Sequence, residues 1–268
     1  MFRPSIILAL IRRQVLLFTR NPVRSLELFF WPVVQLFVWG FTSTYIQQKA
    51  GGDADFQQFV TYLIGGIILW DALFRSQQGV AISFLEDVWT RNLLNVFAAP
   101  IRMTEYLTAS FSVGMLRVLV TGVVMALIAL VAYSFNLLQF GFGLVAFYLN
   151  LMAFGWVLGL VSTSLILRYG HAAESLAWAV PFMIQPFACV FYALEVLPGA
   201  MKAVALAMPP AHVFEGMRGV LVTGEIDTTR LLIATGLNCL YLIGAGALFT
   251  KMLNVARREG LLVKTASN

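Results

Sequence analysis

Three ionisable side chains, Asp71, Arg75 and Arg117, lie far inside stretches of apolar residues. Asp71 and Arg75 are four positions apart, so they share one face of a helix. At ~1.5 Å of rise per residue, Asp71 and Arg117 both lie ~17–20 Å from the same end of consecutive apolar stretches. An isolated charge at that depth in a membrane costs on the order of 3 kcal/mol or more. The sequence therefore predicts a network in which Asp71 pairs with both arginines.

Two roles remain open for this predicted network. It is either a static brace between two helices or part of a gate or a substrate contact. Asp71 is also the residue that would carry a coupling proton if the chain were an ion-driven secondary transporter. Pro181 and Pro186 keep that alternative open, because they would break a helix in the middle of the membrane.

Motifs for catalysis and for ATP binding are absent from the sequence. There is no G-x-x-x-x-G-K-[ST] motif to hold the phosphates of ATP, so energy must come from a partner or a gradient. H-E-x-x-H and G-x-S-x-G are absent too, and Cys189 and Cys239 both lie in apolar stretches. Asp53-Ala54-Asp55 lies in a short Gly-rich loop and is interpreted as a solvated turn. We expect no catalytic residue, metal or cofactor on this chain, and a membrane-embedded enzyme is the weaker alternative.

The elements that must hold these charges are apolar helices. Hydrophobic residues make up 60% of the 268 positions and charged residues 12%. No stretch alternates with period two, as the strands of a lipid-facing barrel do, so helices are predicted. Six stretches reach the ~20 residues that cross ~30 Å of hydrocarbon. They are 26–47, 58–84, 106–134, 142–167, 174–195 and 230–253. The predicted fold is one all-α integral membrane domain, residues 1–268, with six transmembrane helices.

Lysine and arginine residues divide unequally between the two predicted sides of the membrane. Twelve lie on the side of the N-terminus: Arg3, Arg12, Arg13, Arg20, Arg24, Arg91, Arg102, Arg168, Lys251, Arg257, Arg258 and Lys264. Four lie on the other side: Lys49, Lys202, Arg218 and Arg230. The positive-inside rule then places both termini in the cytoplasm. We expect a multi-pass protein of the plasma membrane, which in a bacterium is the inner membrane, and no nucleic acid as a partner.

Two segments on the predicted cytoplasmic side have patterns of their own. Residues 1–24 are amphipathic and end at a break, Asn21-Pro22. They predict either a helix that lies in the cytoplasmic interface or a topology anchor with no mechanical role. The connection 86–105 predicts a short amphipathic helix followed by a break at Pro100.

On the predicted outer side, the segment 196–229 contains two short apolar pieces, 201–208 and 211–222. Neither is long enough to span the membrane, so both are predicted as re-entrant helices before the last span. Within the fourth span, Gly155 and Gly159 are four positions apart and predict close packing against another helix.

Two local stretches match a known pattern. One runs from Glu86 to Leu94 and continues with Ala99-Pro100 and Glu105. The other comprises Leu197-Pro198, Pro209 and Glu215-x-x-Arg218. Together with the order of the helices, they resemble the type-2 family of ATP-binding-cassette exporter permeases over nearly the whole chain. The first stretch is similar to the coupling-helix region of that family and the second to its late motif. The family often has Asn before the proline, where this chain has Met208.

The resemblance implies a permease that pairs with a second permease and binds two separate P-loop ATPase subunits, which hold ATP and Mg²⁺. It implies that the coupling helix contacts the ATPase through Glu86, Asp87, Arg91, Asn92, Leu93, Leu94 and Pro100. Substrate would leave along a path between the two permeases. Substrates of the family include drugs, lipids and lipid-linked polysaccharides. Trp31, Trp39 and Phe37 in the first span either line that path or face lipid and neighbouring helices.

Overall fold

In a computed structural model of the protein, residues 3–49 and 54–260 are described, and they contain ten α-helices and no β-strand. The helices are α1 (Pro4–Thr19), α2 (Pro22–Lys49), α3 (Ala54–Trp89), α4 (Leu93–Ala98), α5 (Met103–Tyr133), α6 (Gly141–Tyr169), α7 (Glu174–Ile184), α8 (Gly199–Leu206), α9 (Pro209–Thr223) and α10 (Thr228–Arg258). Asp53 and Lys264 lie outside the described residues, as do the side chains of Lys49, Asp55, Leu94 and His171.

Five helical segments in the described ranges are long and apolar enough to cross a membrane. They are Pro22–Ile46, Gln58–Trp89, Met103–Tyr133, Leu137–Tyr169 and Thr228–Arg258. They coincide with five of the six predicted spans, and the all-helical membrane class is confirmed. At ~1.5 Å per residue, α3 alone is about 54 Å long, so it is longer than the ~30 Å of hydrocarbon that it would cross.

The predicted span 174–195 is not one continuous helix, and its prediction as a single helix is corrected. The helix α7 has 11 residues and ends at Ile184, after which Gln185–Phe187 form a single 3₁₀ turn. The helical hydrogen bonding is interrupted at Pro186, because proline has no N–H to donate, although Gln185 before it keeps helical dihedral angles. Cys189, with φ of +57°, then lies in the left-handed region and cannot continue a right-handed helix.

The helices α6 and α10 run in the same direction. Near their starts, the side chain of Asn238 donates to the carbonyl of Asn150, and at their ends Arg168 pairs with Glu259. The segment 170–227 must therefore return the chain from one end of the bundle to the other. One end of the bundle is where α3 stops and α5 starts, and we refer to it as the α4 end.

The return path starts with α7 at the α4 end of the bundle. Trp89, the last residue of α3, donates its indole N–H to Glu174, the first residue of α7. Further along, the ring of Phe191 stacks on Trp39 with 5.3 Å between centroids. Because Trp39 lies 17 residues beyond the start of α2, this contact is about 25 Å from the α4 end.

The central helix is α3. In its most apolar part 72% of the residues are buried, against 17–56% in the other four long helices. Gly155 of α6 packs on it so closely that a Cβ there would lie 2.5 Å from the Leu73 carbonyl oxygen. On another side, Gly79 of α3 touches Gly114 of α5. These contacts fix the register of α6 and α5 against α3, in line with the close packing predicted for Gly155 and Gly159.

The two apolar pieces predicted before the last span correspond to α8 and α9. The helix α9 begins at Pro209 and packs mainly against α10 and α6, with Val213, Phe214 and Met217 fully buried. Met208 occupies the N-cap of α9, and its side chain makes no capping hydrogen bond. Pro209 lessens the need for a cap, because its ring fixes a helical φ and it has no N–H to satisfy.

Candidate functional site

A cavity of about 630 Å³ opens into the bundle between α2, α3, α5 and α7. Its floor is buried and polar, whereas its rim is aromatic and exposed, with Trp31, Trp178 and Phe182 between 38% and 56% accessible. The lining comprises Phe18, Arg24, Glu27, Leu28, Trp31, Pro32, Gln35, Trp70, Asp71, Phe74, Arg75, Gln78, Ile82, Glu86, Trp89, Arg117, Trp178 and Phe182. Asp71, Arg75 and Arg117 therefore all face one cavity.

Arg75 joins the polar side chains of the floor to one another. Its Nε donates to Oδ1 of Asp71 at 3.1 Å, and its Nη1 donates to Oε1 of Gln78 at 2.8 Å. All three residues are on α3 and are buried. The structure thus brings Asp71 and Arg75 together, as their spacing of four residues indicates.

Arg117 does not pair with Asp71, and that part of the predicted network is corrected. The α5 side chain beside Asp71 is Thr121, one helical turn beyond Arg117, and its hydroxyl donates to the Arg117 carbonyl at 3.0 Å. The contact of Gly79 with Gly114 sets this register and leaves Arg117 about 7–8 Å nearer the α4 end than Asp71. The Arg117 guanidinium lies 4.8 Å from the ring centre of Phe18, and its Nη2 is buried without a hydrogen-bond partner.

Of the three aromatic residues predicted for a substrate path, Trp31 lines the cavity. Trp39 stacks on Phe191, and Phe37 stacks on Phe41 of its own helix at 5.7 Å between centroids. Sequence reasoning missed Trp70 and Trp178, which form the opposite walls. No sequence signal separates them from ordinary core aromatics, because they lie on helices far apart in the chain.

Glu86 and Asp87 are in the last turn of α3, which extends five residues beyond the predicted end of that span. They are 3% and 1% exposed. Arg24 donates to Oε1 of Glu86 at 2.6 Å, and Asp87 forms an ion pair with Arg13. Their predicted role as contacts of a partner is corrected, because their carboxylates bind arginines of α1 and α2 inside the protein.

A third ion pair completes the attachment of the N-terminal segment. Arg3 binds both carboxylate oxygens of Glu105, at 2.9 and 2.8 Å, and this hydrogen bonding raises the pKa of Arg3 above its usual value. Glu105 also accepts from the backbone N–H of Arg102, so the same carboxylate caps α5. The segment 3–24 is therefore tied at three points to the ends of α3 and α5.

The surface between α3 and α5 is formed by the turn at 90–92, by α4 and by the residues after it. Arg91 and Asn95 are exposed, and Arg91 adopts a left-handed conformation with φ of +51°. Asn92 is partly exposed and Pro100 is exposed. Leu93 is 1% exposed and packs into the core, so it anchors α4 and does not contribute to this surface.

The late motif holds the irregular segment that follows α7. Arg218 donates to Oε1 of Glu215 at 2.8 Å, to the carbonyl of Tyr192 at 2.7 Å and to the carbonyls of Cys189 and Val190. Glu215 in turn accepts from the backbone N–H of Leu194 at 2.8 Å. One arginine thus satisfies carbonyls that no helix can satisfy, which permits irregular backbone inside the bundle.

Comparison with protein families gives one match along the chain. The model of the ABC-2 type transporter family matches residues 6–222, which extend from α1 to the end of α9. No curated protein matches the chain.

Proposed function

Because the chain belongs to the ABC-2 type transporter family and is a membrane permease subunit of an ABC exporter, we propose that it exports an amphipathic substrate. The substrate would be a lipid, a lipid-linked glycan or a drug-like molecule taken from the cytoplasm or the inner leaflet. The family match over residues 6–222 carries this proposal, and the cavity with its aromatic rim supports it. Pockets of 300–1,000 Å³ are the usual size for small ligands.

The proposed topology has six crossings with both termini in the cytoplasm of the plasma membrane. Five crossings are the long apolar helices, and the sixth is the interrupted segment from Glu174 onwards. The parallel directions of α6 and α10 support the sixth crossing, since they require the chain to return between them. The excess of lysine and arginine at the α4 end supports its cytoplasmic placement. In this arrangement α8 and α9 re-enter the membrane from outside.

ATP and Mg²⁺ would bind to two separate P-loop ATPase subunits. The proposed docking surface is the exposed face of residues 90–100, with Arg91, Asn92 and Pro100 as its contacts. Motion of the ATPases would reach the spans through α3 and α5, because α4 lies between them in the chain. Glu86, Asp87 and Glu105 would also transmit it to α1 and α2 through their arginines.

The functional unit would contain two copies of this chain. A cavity that is open at its rim encloses no continuous path through one chain, and a two-fold interface is the simplest way to complete one. Crosslinking of cysteines introduced at Trp31 and Phe182 would test this. A strictly monomeric species with full transport activity would refute it.

The experiment that tests the function is co-purification of the untagged chain from native membranes, followed by reconstitution in liposomes. A P-loop ATPase should co-purify, and transport should require ATP and Mg²⁺. Transport driven by a proton gradient without ATP would favour the ion-coupled alternative. The interruption after α7 is a feature of that alternative, but Asp71, its candidate proton carrier, is bound to Arg75 in the described residues.

A further inference from the structure

Arg117 is an unsatisfied cation on the buried floor of the cavity. It is 7% exposed, it is one of the lining residues, and its Nη2 has no hydrogen-bond partner. Buried arginines are normally paired with a carboxylate or bound to several acceptors, because an unpaired buried charge is costly. A group with an acceptor atom for Nη2 would therefore stabilise this guanidinium.

Of the three carboxylates that face the same cavity, two bind an arginine and the third is remote from its floor. Asp71 accepts from Arg75, and Glu86 accepts from Arg24 through Oε1 only, so that Glu86 Oε2 is buried without a hydrogen-bond partner. Glu86 attracts Arg117 electrostatically, but no hydrogen bond joins them. Glu27 is exposed at the rim. With Arg75 and Arg24 each paired, Arg117 is the cation of the floor that can accept an anion from outside.

The walls between this cation and the rim are aromatic. Trp70 and Phe74 line the inner part, and Trp31, Trp178 and Phe182 form the exposed part. Flat aromatic rings pack well against acyl chains and sugar faces. A ligand that fits would have a negative group that reaches the floor and an apolar or amphipathic body against the rings.

We propose that this cavity binds an amphiphile with a phosphate or carboxylate group, and that Arg117 is the residue that binds the anionic group. The anion completes the hydrogen bonding of Nη2, and the body of the ligand packs between Trp31 and Phe182. That this amphiphile is the transported substrate rests on the proposed function, whereas its binding to the cavity is independent of that function.

Binding is tested on the purified chain in neutral detergent, without an ATPase. Brominated phosphatidylglycerol and brominated diacylglycerol, which has identical acyl chains and no phosphate, are titrated, and quenching of tryptophan fluorescence is measured. The cavity wall contains Trp31, Trp70 and Trp178, so occupancy should quench strongly. We expect the anionic lipid to bind about tenfold more tightly. A tenfold difference in affinity corresponds to the free energy of about one charge-assisted hydrogen bond. Equal binding of the two lipids would overturn the proposal.

Substitutions of Arg117 test whether the anionic group of the lipid binds inside the cavity. Arg117→Gln should abolish the preference for the anionic lipid, whereas Arg117→Lys should retain part of it. The matched control is Arg12→Gln, which removes the same charge from an exposed position on α1. If Arg12→Gln abolishes the preference and Arg117→Gln does not, the lipid binds at the surface and the cavity assignment is wrong. Inorganic phosphate should not displace the lipid at equal concentration. Displacement would overturn the requirement for an amphiphile.

Thermal unfolding distinguishes ligand binding from a structural role. Arg117→Gln removes a buried charge that attracts Glu86, so its ligand-free Tm is compared with the wild type together with its lipid preference. A lower Tm with an unchanged lipid preference would identify Arg117 as a brace. If Arg117→Gln does not fold, the lipid preference of the wild type and of Arg117→Lys decides the question. Because none of these measurements involves ATP, failure here leaves the proposed ATP-driven function to its own test.

Discussion

Arg13, in the N-terminal helix, forms an ion pair with Asp87, in the last turn of α3, although 74 positions separate them in the chain. The hydroxyl of Tyr106 also donates to Asp87, at 2.9 Å. The Asp87 carboxylate is 1% exposed, so Arg13 and Tyr106 together replace the water that burial has removed. This pair fixes α1 to the end of the bundle that leads into α4.

Arg13→Gln should lower the free energy of unfolding by about 1–3 kcal/mol, because it leaves a buried carboxylate with fewer donors. The double variant Arg13→Gln/Asp87→Asn should recover part of the loss, since the two neutral amides carry no buried charge. Thermal unfolding in detergent measures both. The control is Arg168→Gln, which breaks an exposed ion pair with Glu259 and should cost about 1 kcal/mol or less. Equal losses in Arg13→Gln and Arg168→Gln would contradict a buried anchor.

Arg91→Glu should lower the affinity for the ATPase about tenfold, the size of one charge-assisted hydrogen bond, and uncouple ATP hydrolysis from transport. Arg91→Gly should keep the turn, because φ of +51° suits glycine, and should show the loss of the side chain alone. The control is Lys251→Glu, an exposed charge reversal on α10. ATPase binding and ATP-dependent transport are the measurements. Normal coupling of ATP hydrolysis to transport in Arg91→Glu would show that residues 90–100 are not the docking surface.

Glu86→Lys tests whether Glu86 is held inside the protein by Arg24 and does not contact the ATPase. This change places a cation beside Arg24 and Arg117 in a buried site, so it should reduce folded yield and Tm. Arg91→Glu, at an exposed position, should leave both unchanged. A Glu86→Lys protein with wild-type stability and lost coupling would instead support a direct contact with the ATPase.

Arg218→Lys should destabilise the segment 189–194, because an ammonium group cannot supply the planar fork that reaches Glu215 and three carbonyls. Each buried carbonyl left without a donor costs about 1–3 kcal/mol. The matched control is Arg230→Lys, whose ion pair with Asp227 has the same spacing of three residues but is exposed. Tm and the yield of folded protein should fall for Arg218→Lys and stay near the wild type for Arg230→Lys.

Asp71→Asn and Arg75→Gln should show coupling of about 0.5–3 kcal/mol in a double-mutant cycle, because the two side chains hydrogen-bond directly. Asp71→Asn and Arg117→Gln should be nearly additive, since no hydrogen bond joins them. Unfolding free energies in detergent provide both cycles. Strong coupling of Asp71 to Arg117 would show that the register of α3 against α5 differs from the one described.

The sequence by itself determined the class of the protein and the position of five long helices. Length and hydropathy are local properties, and a membrane leaves few alternatives to a helix for a long apolar stretch. Local chemistry also located the break at Asn21-Pro22, the pieces that became α8 and α9, and the uncapped Met208. The pairing of Asp71 with Arg75 was predictable for the same reason, because both lie on one turn of one helix.

The tertiary structure alone decided which charges meet across helices. Glu86 and Asp87 have the same polar pattern whether they face a partner or hold Arg24 and Arg13, and only the packing of α1 and α2 distinguishes the two. The position of Arg117 depends on the register of α5 against α3, which a contact between two glycines sets. The interrupted return after α7 depends on Arg218, whose donors reach carbonyls 26 to 29 positions away. Contacts between distant parts of a chain arise from packing, and a local pattern of residue types does not encode them.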